Sequence, residues 1–187
     1  TYANGCSTTS ADATVTQNIS APAVAINGAG ELNCSVTSLT LTADQTAASY
    51  AWTLEGASVG GNTQTLNATT AGDYAVTVTY ANGCSATSPD ATVMQDITTP
   101  TVTLTGAVDN DVIDCATPSY TLGFTTSSGT VASQTWSNAA ITNSITVANA
   151  GAYSVDVVFT NGCTATSNVI NLSKDATIPT VTLTGAI

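Results

Sequence analysis

Hydrophobic and polar residues alternate along most of this chain with a period of two. The segments SYAWTLE at residues 49–55 and DYAVTVTY at residues 73–80 each place their large apolar side chains on one face. Such alternation is typical of a β-strand with one buried face, and the abundant threonine and valine favour strands. No stretch has helical periodicity. The pattern predicts an all-β protein whose first well-defined strands lie at residues 23–27, 38–43, 49–55, 63–68, 73–80 and 84–94.

The alternating segments belong to a repeated unit. TYANGCS at residues 1–7 returns at residues 79–85, and FTNGCTATS at residues 159–167 is a relaxed copy. Three prolines in a second repeated phrase, at intervals of 78 and 79 residues, mark the period: Pro22, Pro100 and Pro179. Internal repeats of this kind indicate an array of similar units. We therefore expect an excerpt from a longer array, with the last strands of a preceding repeat at 1–21, complete repeats at 22–99 and 100–178, and the first strand of a following repeat at 179–187.

Each repeat carries turn and core signals at matching places. An Asn-Gly pair follows an alternating run three times, and this pair favours the type I′ turn of a β-hairpin. The predicted hairpin turns are Asn4-Gly5, Asn82-Gly83 and Asn161-Gly162. The predicted core aromatics are Trp52 and Trp136, with Tyr74 and Tyr153 in the position of a tyrosine corner. About 78 residues with seven short strands fit an immunoglobulin-like β-sandwich, and successive sandwiches predict an extended array.

Composition narrows the function. The formal net charge is −11, with Lys174 as the one cation, and there is no histidine. Nucleic-acid binding requires clustered Lys and Arg, so the chain is not expected to bind nucleic acid. No segment has the roughly 18 apolar residues of a membrane span, so no membrane insertion is expected in this segment. Without His or Arg, and with carboxylates scattered at turns, the sequence predicts neither an enzyme nor a cofactor.

The ordered set of motifs resembles a known group of repeats. A cysteine before SLTLTA, a YxW strand, AGxYxVxV and NGCxATS resemble the Ig-like or PKD-like repeats of large bacterial cell-surface proteins. These include gliding adhesins of the Bacteroidetes type. The resemblance implies a non-catalytic, extracellular stalk or filament at the bacterial cell surface. The implied partners are neighbouring repeats of the same long chain, or other copies in a fibre, and the ligand at the tip is not indicated.

The cysteines predict disulfides. Each complete repeat has two, Cys34 with Cys84 and Cys115 with Cys163, while the partner of Cys6 would lie outside these 187 residues. Without histidine or CxxC spacing, recurring cysteines favour disulfides over metal ligands. Simple counting pairs cysteines within a repeat. Strand direction, however, places the two cysteines of one repeat at opposite ends of the sandwich and favours Cys34 with Cys163. We take pairing within the repeat as the first expectation, since the resembled family carries both cysteines in most copies, and leave the second open.

Three aspartates in the segment VDNDVID form a candidate calcium site. Asp109, Asp111 and Asp114 lie close together in VDNDVID, and calcium prefers clustered carboxylate oxygens. The corresponding segment of the first repeat, INGAGELN, has only Glu31. A site built into the repeat would recur, so we predict a solvated acidic loop and no metal.

Two functions are compatible with these observations. The first is a structural stalk or filament-forming region with a role in cell adhesion. The second is a carbohydrate- or protein-binding Ig-like module of a secreted protein. Carbohydrate-binding modules of this kind usually display exposed aromatic side chains, whereas here most aromatics fall on predicted inward-facing positions. The sequence therefore favours the structural role.

Overall fold

The computed structural model describes residues 1–182, 184 and 185, and the regular elements in these residues are all β-strands. In chain order they are β1 Ile26–Asn27, β2 Glu31–Asn33, β3 Leu39–Ala43, β4 Ser49–Leu54, β5 Ala57–Val59, β6 Thr65–Ala68, β7 Gly72–Thr79, β8 Ser85–Thr87, β9 Ala91–Asp96, β10 Val102–Thr105, β11 Val112–Ile113, β12 Tyr120–Thr126, β13 Val131–Trp136, β14 Ile145–Val147, β15 Gly151–Tyr153, β16 Val155–Phe159, β17 Thr164–Thr166 and β18 Ile170–Lys174. The prediction of an all-β fold is confirmed for the described residues.

The chain divides into two compact units. The first comprises Thr1–Ala29, Thr40–Ala68 and Gly72–Val93. One of its sheets has the order β1-β3-β6. In the other, β7 lies between β4 and the first residues of β9, β5 lies on the other side of β4, and β8 also pairs with β7.

Alternation along the strands builds the core of the first unit. Along β7, Tyr74, Val76 and Val78 are buried while the residues between them are partly exposed. On β4, Trp52 is 1% exposed, and its indole Nε1–H donates to the carbonyl oxygen of Thr63 at 2.8 Å. A buried indole needs such an acceptor, because an unpaired N–H away from water is costly.

The second unit comprises Gly30–Leu39, Thr69–Ala71 and Met94–Ile187. It contains the sheet β10-β12-β14 and two further groups of strands, β11-β18-β15 and β13-β16-β17. β2 pairs in parallel with the last residues of β9, from Met94 to Asp96. β11 pairs in parallel with β18 in the same manner.

Side chains from these sheets enclose one core, as in a β-sandwich. At its centre Trp136 is 1% exposed, meets Phe124 edge to face at 6.1 Å between ring centroids, and donates from Nε1 to the carbonyl oxygen of Thr142 at 2.8 Å. The hydroxyl of Tyr153 donates to the carbonyl oxygen of Asn149 at 2.9 Å, four residues upstream, as in a tyrosine corner. The buried members of the core are Val102, Leu104, Ile113, Leu122, Trp136, Ile145, Val147, Tyr153, Val155, Val157, Phe159, Ile170 and Leu172.

The predicted last strand of the first repeat, residues 84–94, forms two strands, β8 and β9, with Pro89 between them. Proline cannot donate to a ladder, so the strand breaks there. Ser88 compensates at the break, since its buried Oγ accepts from the backbone N–H of Val76 at 3.0 Å. Ser167 makes the same bond to Val155. These serines are the two buried polar side chains among the described residues.

The ends of the chain do not form the strands expected of them. Residues 1–21 contain a turn at Asn4-Gly5 but no strand. In the predicted strand at 179–187, the described residues are also irregular, while Leu183, Ala186 and Ile187 lie outside the described residues. The repeat boundaries at 22–99 and 100–178 stay predictions.

The core tryptophans provide the first test. We expect Trp52→Ala and Trp136→Ala each to lower the free energy of unfolding by about 3–5 kcal/mol, because each removes a large buried aromatic. Chemical denaturation followed by circular dichroism measures this. Ile141→Ala, at a position 73% exposed, is the control and should change stability by less than about 0.5 kcal/mol. A loss below about 1 kcal/mol for either tryptophan would contradict its place in the core.

Candidate functional site

The candidate site begins with the NGC hairpin between β16 and β17. The Gly162 N–H donates to the carbonyl oxygen of Phe159 at 2.9 Å, and the Phe159 N–H donates to the carbonyl oxygen of Cys163 at 2.8 Å. Gly162 has a φ of 76°. The side-chain Oδ1 of Asn161 accepts from the Cys163 N–H at 3.1 Å, so the loop Thr160-Asn161-Gly162 is held from within.

The predicted turn type is wrong. A type I′ turn at Asn-Gly would need positive φ at both residues, but Asn4, Asn82 and Asn161 are not among the residues with positive φ. Only the glycines adopt it. The hydrogen bonds instead define a three-residue loop, with a type I turn followed by a left-handed glycine that forms a bulge. The glycine alone takes the left-handed conformation that the loop requires. The asparagine side chain makes hydrogen bonds to the backbone instead.

The asparagine side chain anchors the hairpin through both of its amide atoms. Its Oδ1 accepts from the backbone N–H of the cysteine that follows in the loop, and its Nδ2 donates to the segment that precedes β1 or β10. Asn161 Nδ2 donates to the carbonyl oxygen of Thr98 at 2.9 Å. Asn82 Nδ2 donates in the same manner to Ser20 at 3.0 Å. Sequence reasoning assigned the asparagine to turn geometry and missed this anchoring role.

The second component is a turn that follows β2. The Asn33 Oδ1 accepts from the N–H groups of Ser35 at 3.0 Å and Val36 at 2.8 Å. The Asn33 N–H in turn donates to the carbonyl oxygen of Val36 at 2.8 Å. This compact turn holds Cys34 at its tip. β2 itself was not predicted, because three residues are too few to show alternation.

The turn and the hairpin meet in a covalent joint. Cys34 is bonded to Cys163, 129 residues away in the chain, with 4.9 Å between their Cα atoms, which is ordinary disulfide geometry. The Cys34 N–H also donates to the carbonyl oxygen of Asn161 at 3.1 Å. A Cβ at Gly162 would overlap Ser35, so glycine lets the two backbones approach closely. Cys163 is 2% exposed at this contact.

This joint corrects the first expectation for the cysteines. The structure does not pair Cys34 with Cys84 or Cys115 with Cys163; Cys6, Cys84 and Cys115 are free. The reason is strand direction. β2 runs parallel to β9 and Asn33 pairs with Asp96, so Cys34 follows directly at the end of β9. Cys84, by contrast, comes just before β8, ahead of β9 in the chain. The alternative left open by the sequence, Cys34 with Cys163, is the pairing found.

The three acidic side chains at 109–114 accept hydrogen bonds from the protein itself. Asp109 Oδ1 accepts from the N–H and side-chain amide of Asn171 at 2.8 and 3.0 Å, and these bonds hold the pKa of Asp109 below its ordinary value. Asp111 accepts from Val108, while Asp114 accepts from two N–H groups of its own turn. Within the described residues, no three His, Cys, Asp or Glu side chains come together in a group that could hold a metal ion.

The predicted core aromatics belong to the interior of the protein. Trp52, Trp136, Tyr74 and Tyr153 are buried, each at 9% exposure or less. Among the described large apolar side chains that are exposed, Tyr2 is the one aromatic, at 65%. The described residues also contain no helix that could cross a membrane.

Comparison with known proteins gives only distant likenesses. No protein-family model and no curated protein matches the chain. Among solved structures, the fibronectin(III)-like modules of Clostridium thermocellum CbhA match with a TM-score of 0.40 and 15% identity over 81% of this chain and 94% of theirs. The N-terminal four Ig domains of Dscam1 match with a TM-score of 0.36 and 12% identity over 87% of this chain and 49% of theirs. SGBP-B of Bacteroides ovatus, in complex with a mixed-linkage heptasaccharide, has a TM-score of 0.23 and 12% identity over 79% of this chain and 42% of its own. No enzyme family is indicated, and likenesses this distant support no functional argument.

Loss of the joint should be measurable as loss of stability. We expect Cys34→Ser to lower the free energy of unfolding by about 5 kcal/mol, the chain-entropy value for a loop of this size. Cys115→Ser, which alters a free and exposed cysteine, is the matched control and should leave stability unchanged. Non-reducing peptide mapping of the unaltered chain should recover Cys34 linked to Cys163. Recovery of Cys34 linked to Cys84 would overturn the assignment.

Calcium should have no effect on folding. Because the three carboxylates already accept hydrogen bonds and do not converge, we expect the same melting temperature in millimolar calcium and in chelator. Asp111→Ala removes a local cap, so the informative quantity is the calcium-dependent difference in each variant. A rise in melting temperature with calcium that disappears in Asp111→Ala would contradict this prediction.

Proposed function

We propose that this chain is a non-catalytic structural segment of an extracellular bacterial surface protein, a stalk or filament in which successive immunoglobulin-like repeats are joined covalently. The observation that carries the proposal is the Cys34–Cys163 bond, which connects a turn in one predicted repeat to the hairpin of the next. A bond of this kind resists pulling. An extracellular location is proposed because disulfides persist in oxidising surroundings.

The route of an applied force supports a mechanical role. When the two ends of the chain are pulled, the disulfide is a covalent shortcut between Cys34 and Cys163, and the residues between them are not forced to extend. The bond encloses most of the apolar core of the second unit. Force therefore leaves the enclosed residues folded or unfolds them without lengthening the chain by their full contour.

The surface chemistry supports the same role. Both tryptophans are buried, and the exposed large apolar residues of the described part of the chain are aliphatic ones and Met94, apart from Tyr2. Tyr50, Tyr80, Tyr120 and Phe124 are half-buried. With a net charge of −11 and a single cation, the chain has little with which to bind anionic partners. These features favour a spacer over the alternative of a carbohydrate- or protein-binding module.

Single-molecule pulling from the two ends tests the mechanical proposal. With a separation of 129 residues and about 3.6 Å per extended residue, the oxidised chain should reach a contour length about 46 nm shorter than the chain treated with reductant. Cys34→Ser should give the long contour without reductant, and Cys115→Ser should keep the short one. Equal contour lengths before and after reduction would contradict a force-bearing joint. Specific binding to a glycan array by the unaltered chain would favour the binding-module alternative instead.

A further inference from the structure

The dipeptide Asn-Gly also occurs outside the NGC hairpins, at Asn27-Gly28, where β1 ends. In any Asn-Gly pair the amide nitrogen of the glycine can attack the side-chain Cγ of the asparagine, because glycine has no side chain to obstruct the approach. The attack requires that both groups are free to move together. Since all these pairs share the same local chemistry, the fold decides which of them reacts.

The hairpin that carries Cys163 holds both reacting groups. The Gly162 N–H donates to the carbonyl oxygen of Phe159 at 2.9 Å. The Asn161 side chain accepts from the Cys163 N–H at 3.1 Å and donates to the carbonyl oxygen of Thr98 at 2.9 Å. All three hydrogen bonds would have to open before the glycine nitrogen could reach Cγ.

The hairpin of the first unit is held in the same way. The Gly83 N–H donates to the carbonyl oxygen of Tyr80 at 2.9 Å. The Asn82 side chain accepts from the Cys84 N–H at 3.0 Å and donates to the carbonyl oxygen of Ser20 at 3.0 Å. Both hairpins therefore restrain their asparagines through the same three hydrogen bonds.

Neither reacting group of Asn27-Gly28 is restrained in this manner. Both residues are exposed. Among the described residues, neither the Asn27 side chain nor the Gly28 N–H has a hydrogen-bond partner. β1 is two residues long, and Asn27 is its last residue, paired with Thr42 on β3. Opening of this terminal ladder pair is a small local fluctuation, and it lets the peptide unit between Asn27 and Gly28 rotate.

This exposure belongs to the position within the unit and does not depend on the ends of the chain. In the second unit the same position is Thr105-Gly106, where Thr105 pairs with Gly123 and Gly106 has a φ of 98°, against 92° for Gly28. This pair is exposed although the first unit precedes it, and Asn27-Gly28 is exposed although the second unit follows. A preceding or a following unit thus leaves the position open.

From this contrast we propose that Asn27 is a site of spontaneous covalent modification. Cyclisation onto Gly28, followed by hydrolysis, converts this asparagine to aspartate or isoaspartate, while the asparagines of the two hairpins stay intact. The co-reactant is water, and no enzyme is needed. The site is independent of the proposed structural function.

The reaction has two steps. First, the Gly28 amide nitrogen loses its proton to a base and forms a bond to Cγ of Asn27, the bond from Cγ to Nδ2 breaks, and the leaving nitrogen takes up a proton and departs as ammonia. Second, one water molecule opens the resulting succinimide. Attack at Cγ gives aspartate, and attack at the main-chain carbonyl carbon gives isoaspartate. One asparagine and one water thus give one acidic residue and one ammonia.

The products alter an edge strand. Either product adds a carboxylate to a chain whose net charge is already −11. Isoaspartate also adds a carbon atom to the main chain immediately before Gly28. That glycine packs against β3 so closely that a Cβ on it would overlap the carbonyl oxygen of Thr40. The longer main chain disturbs this contact, so the modification acts on the pairing of β1 with β3 in the first unit.

The test compares deamidation rates within one chain. The folded, oxidised chain is incubated in mildly alkaline buffer and mapped by mass spectrometry at intervals, and an unincubated sample corrects for conversion during digestion. We expect Asn27 to deamidate at least about tenfold faster than Asn82 and Asn161, because the three hydrogen bonds of each hairpin together account for such a factor. Conversion of Asn27 at a rate no greater than that of the hairpin asparagines would overturn the proposal.

Denaturant separates the effect of the fold from that of the sequence. In the reduced, unfolded chain the hydrogen bonds of the hairpins are lost, so the rates at Asn27, Asn82 and Asn161 should become equal. A preference for Asn27 that persisted in the unfolded chain would show that the fold is not its cause.

Exchanging residues between the two units tests the position itself. Asn27→Thr introduces the residue found at this position in the second unit and should abolish the fast conversion. Thr105→Asn places an asparagine before Gly106 and should create a second site that reacts about as fast as Asn27. Both substitutions are at exposed positions, so the fold should be retained. A folded Thr105→Asn chain that stayed unmodified at position 105 would contradict the role assigned to this strand end.

Discussion

Parallel pairing of a very short strand with the last strand is the constraint on which the joint depends. β2 pairs with the end of β9, and β11 pairs with the end of β18, through three and two residues respectively. Backbone N–H and C=O groups need partners, and this pairing supplies them to the segment between β1 and β3 and to the segment between β10 and β12. It also determines direction, because a parallel neighbour must finish where the last strand finishes. The cysteine that follows the short strand, Cys34 or Cys115, therefore lies near the end of the last strand, β9 or β18. Cys84 and Cys163, by contrast, come just before β8 and β17.

The remaining features of the joint follow from that placement. Leu32 and Ile113, each 2% exposed, anchor the short strands by burial. Asn33 and Asp114 then fold the chain after each strand into a turn that displays a cysteine. On the receiving side a left-handed glycine permits close approach, and an asparagine anchors the loop. The disulfide adds to these contacts, because a closed loop of this size constrains the unfolded chain.

A polar, nearly cation-free surface suits this arrangement. The indole N–H groups of Trp52 and Trp136 and the hydroxyl of Tyr153 each donate to a backbone carbonyl oxygen of the protein. The donors of these three core side chains are therefore already paired within the fold. Ser88 and Ser167 repair the break in the last strand with a single buried hydroxyl each. The Cys34–Cys163 disulfide is the covalent link that the fold adds to these contacts.

The sequence by itself determined the fold class and the cores. Alternation with a period of two requires strands with one buried face, and the register of Tyr50, Trp52 and Leu54 identified the tryptophan as a core residue, because a shift by one would expose every apolar side chain. The recurrence of NGC located the hairpins. The interval between repeats likewise showed which positions correspond. These inferences depend on local patterns, which a sequence displays directly.

The disulfide partner, the turn type and the fate of the acidic group were decided only by the tertiary structure. Counting cysteines could not distinguish Cys84 from Cys163 as the partner of Cys34, because the answer depends on the direction of β2, a strand too short to show alternation. Asn-Gly alone could not distinguish a two-residue from a three-residue loop, since both place glycine at positive φ. Asp109, Asp111 and Asp114 are close in sequence, but each carboxylate is directed to a different backbone donor. In all three cases the deciding contacts join atoms whose proximity arises from the folded backbone, and no local pattern records them.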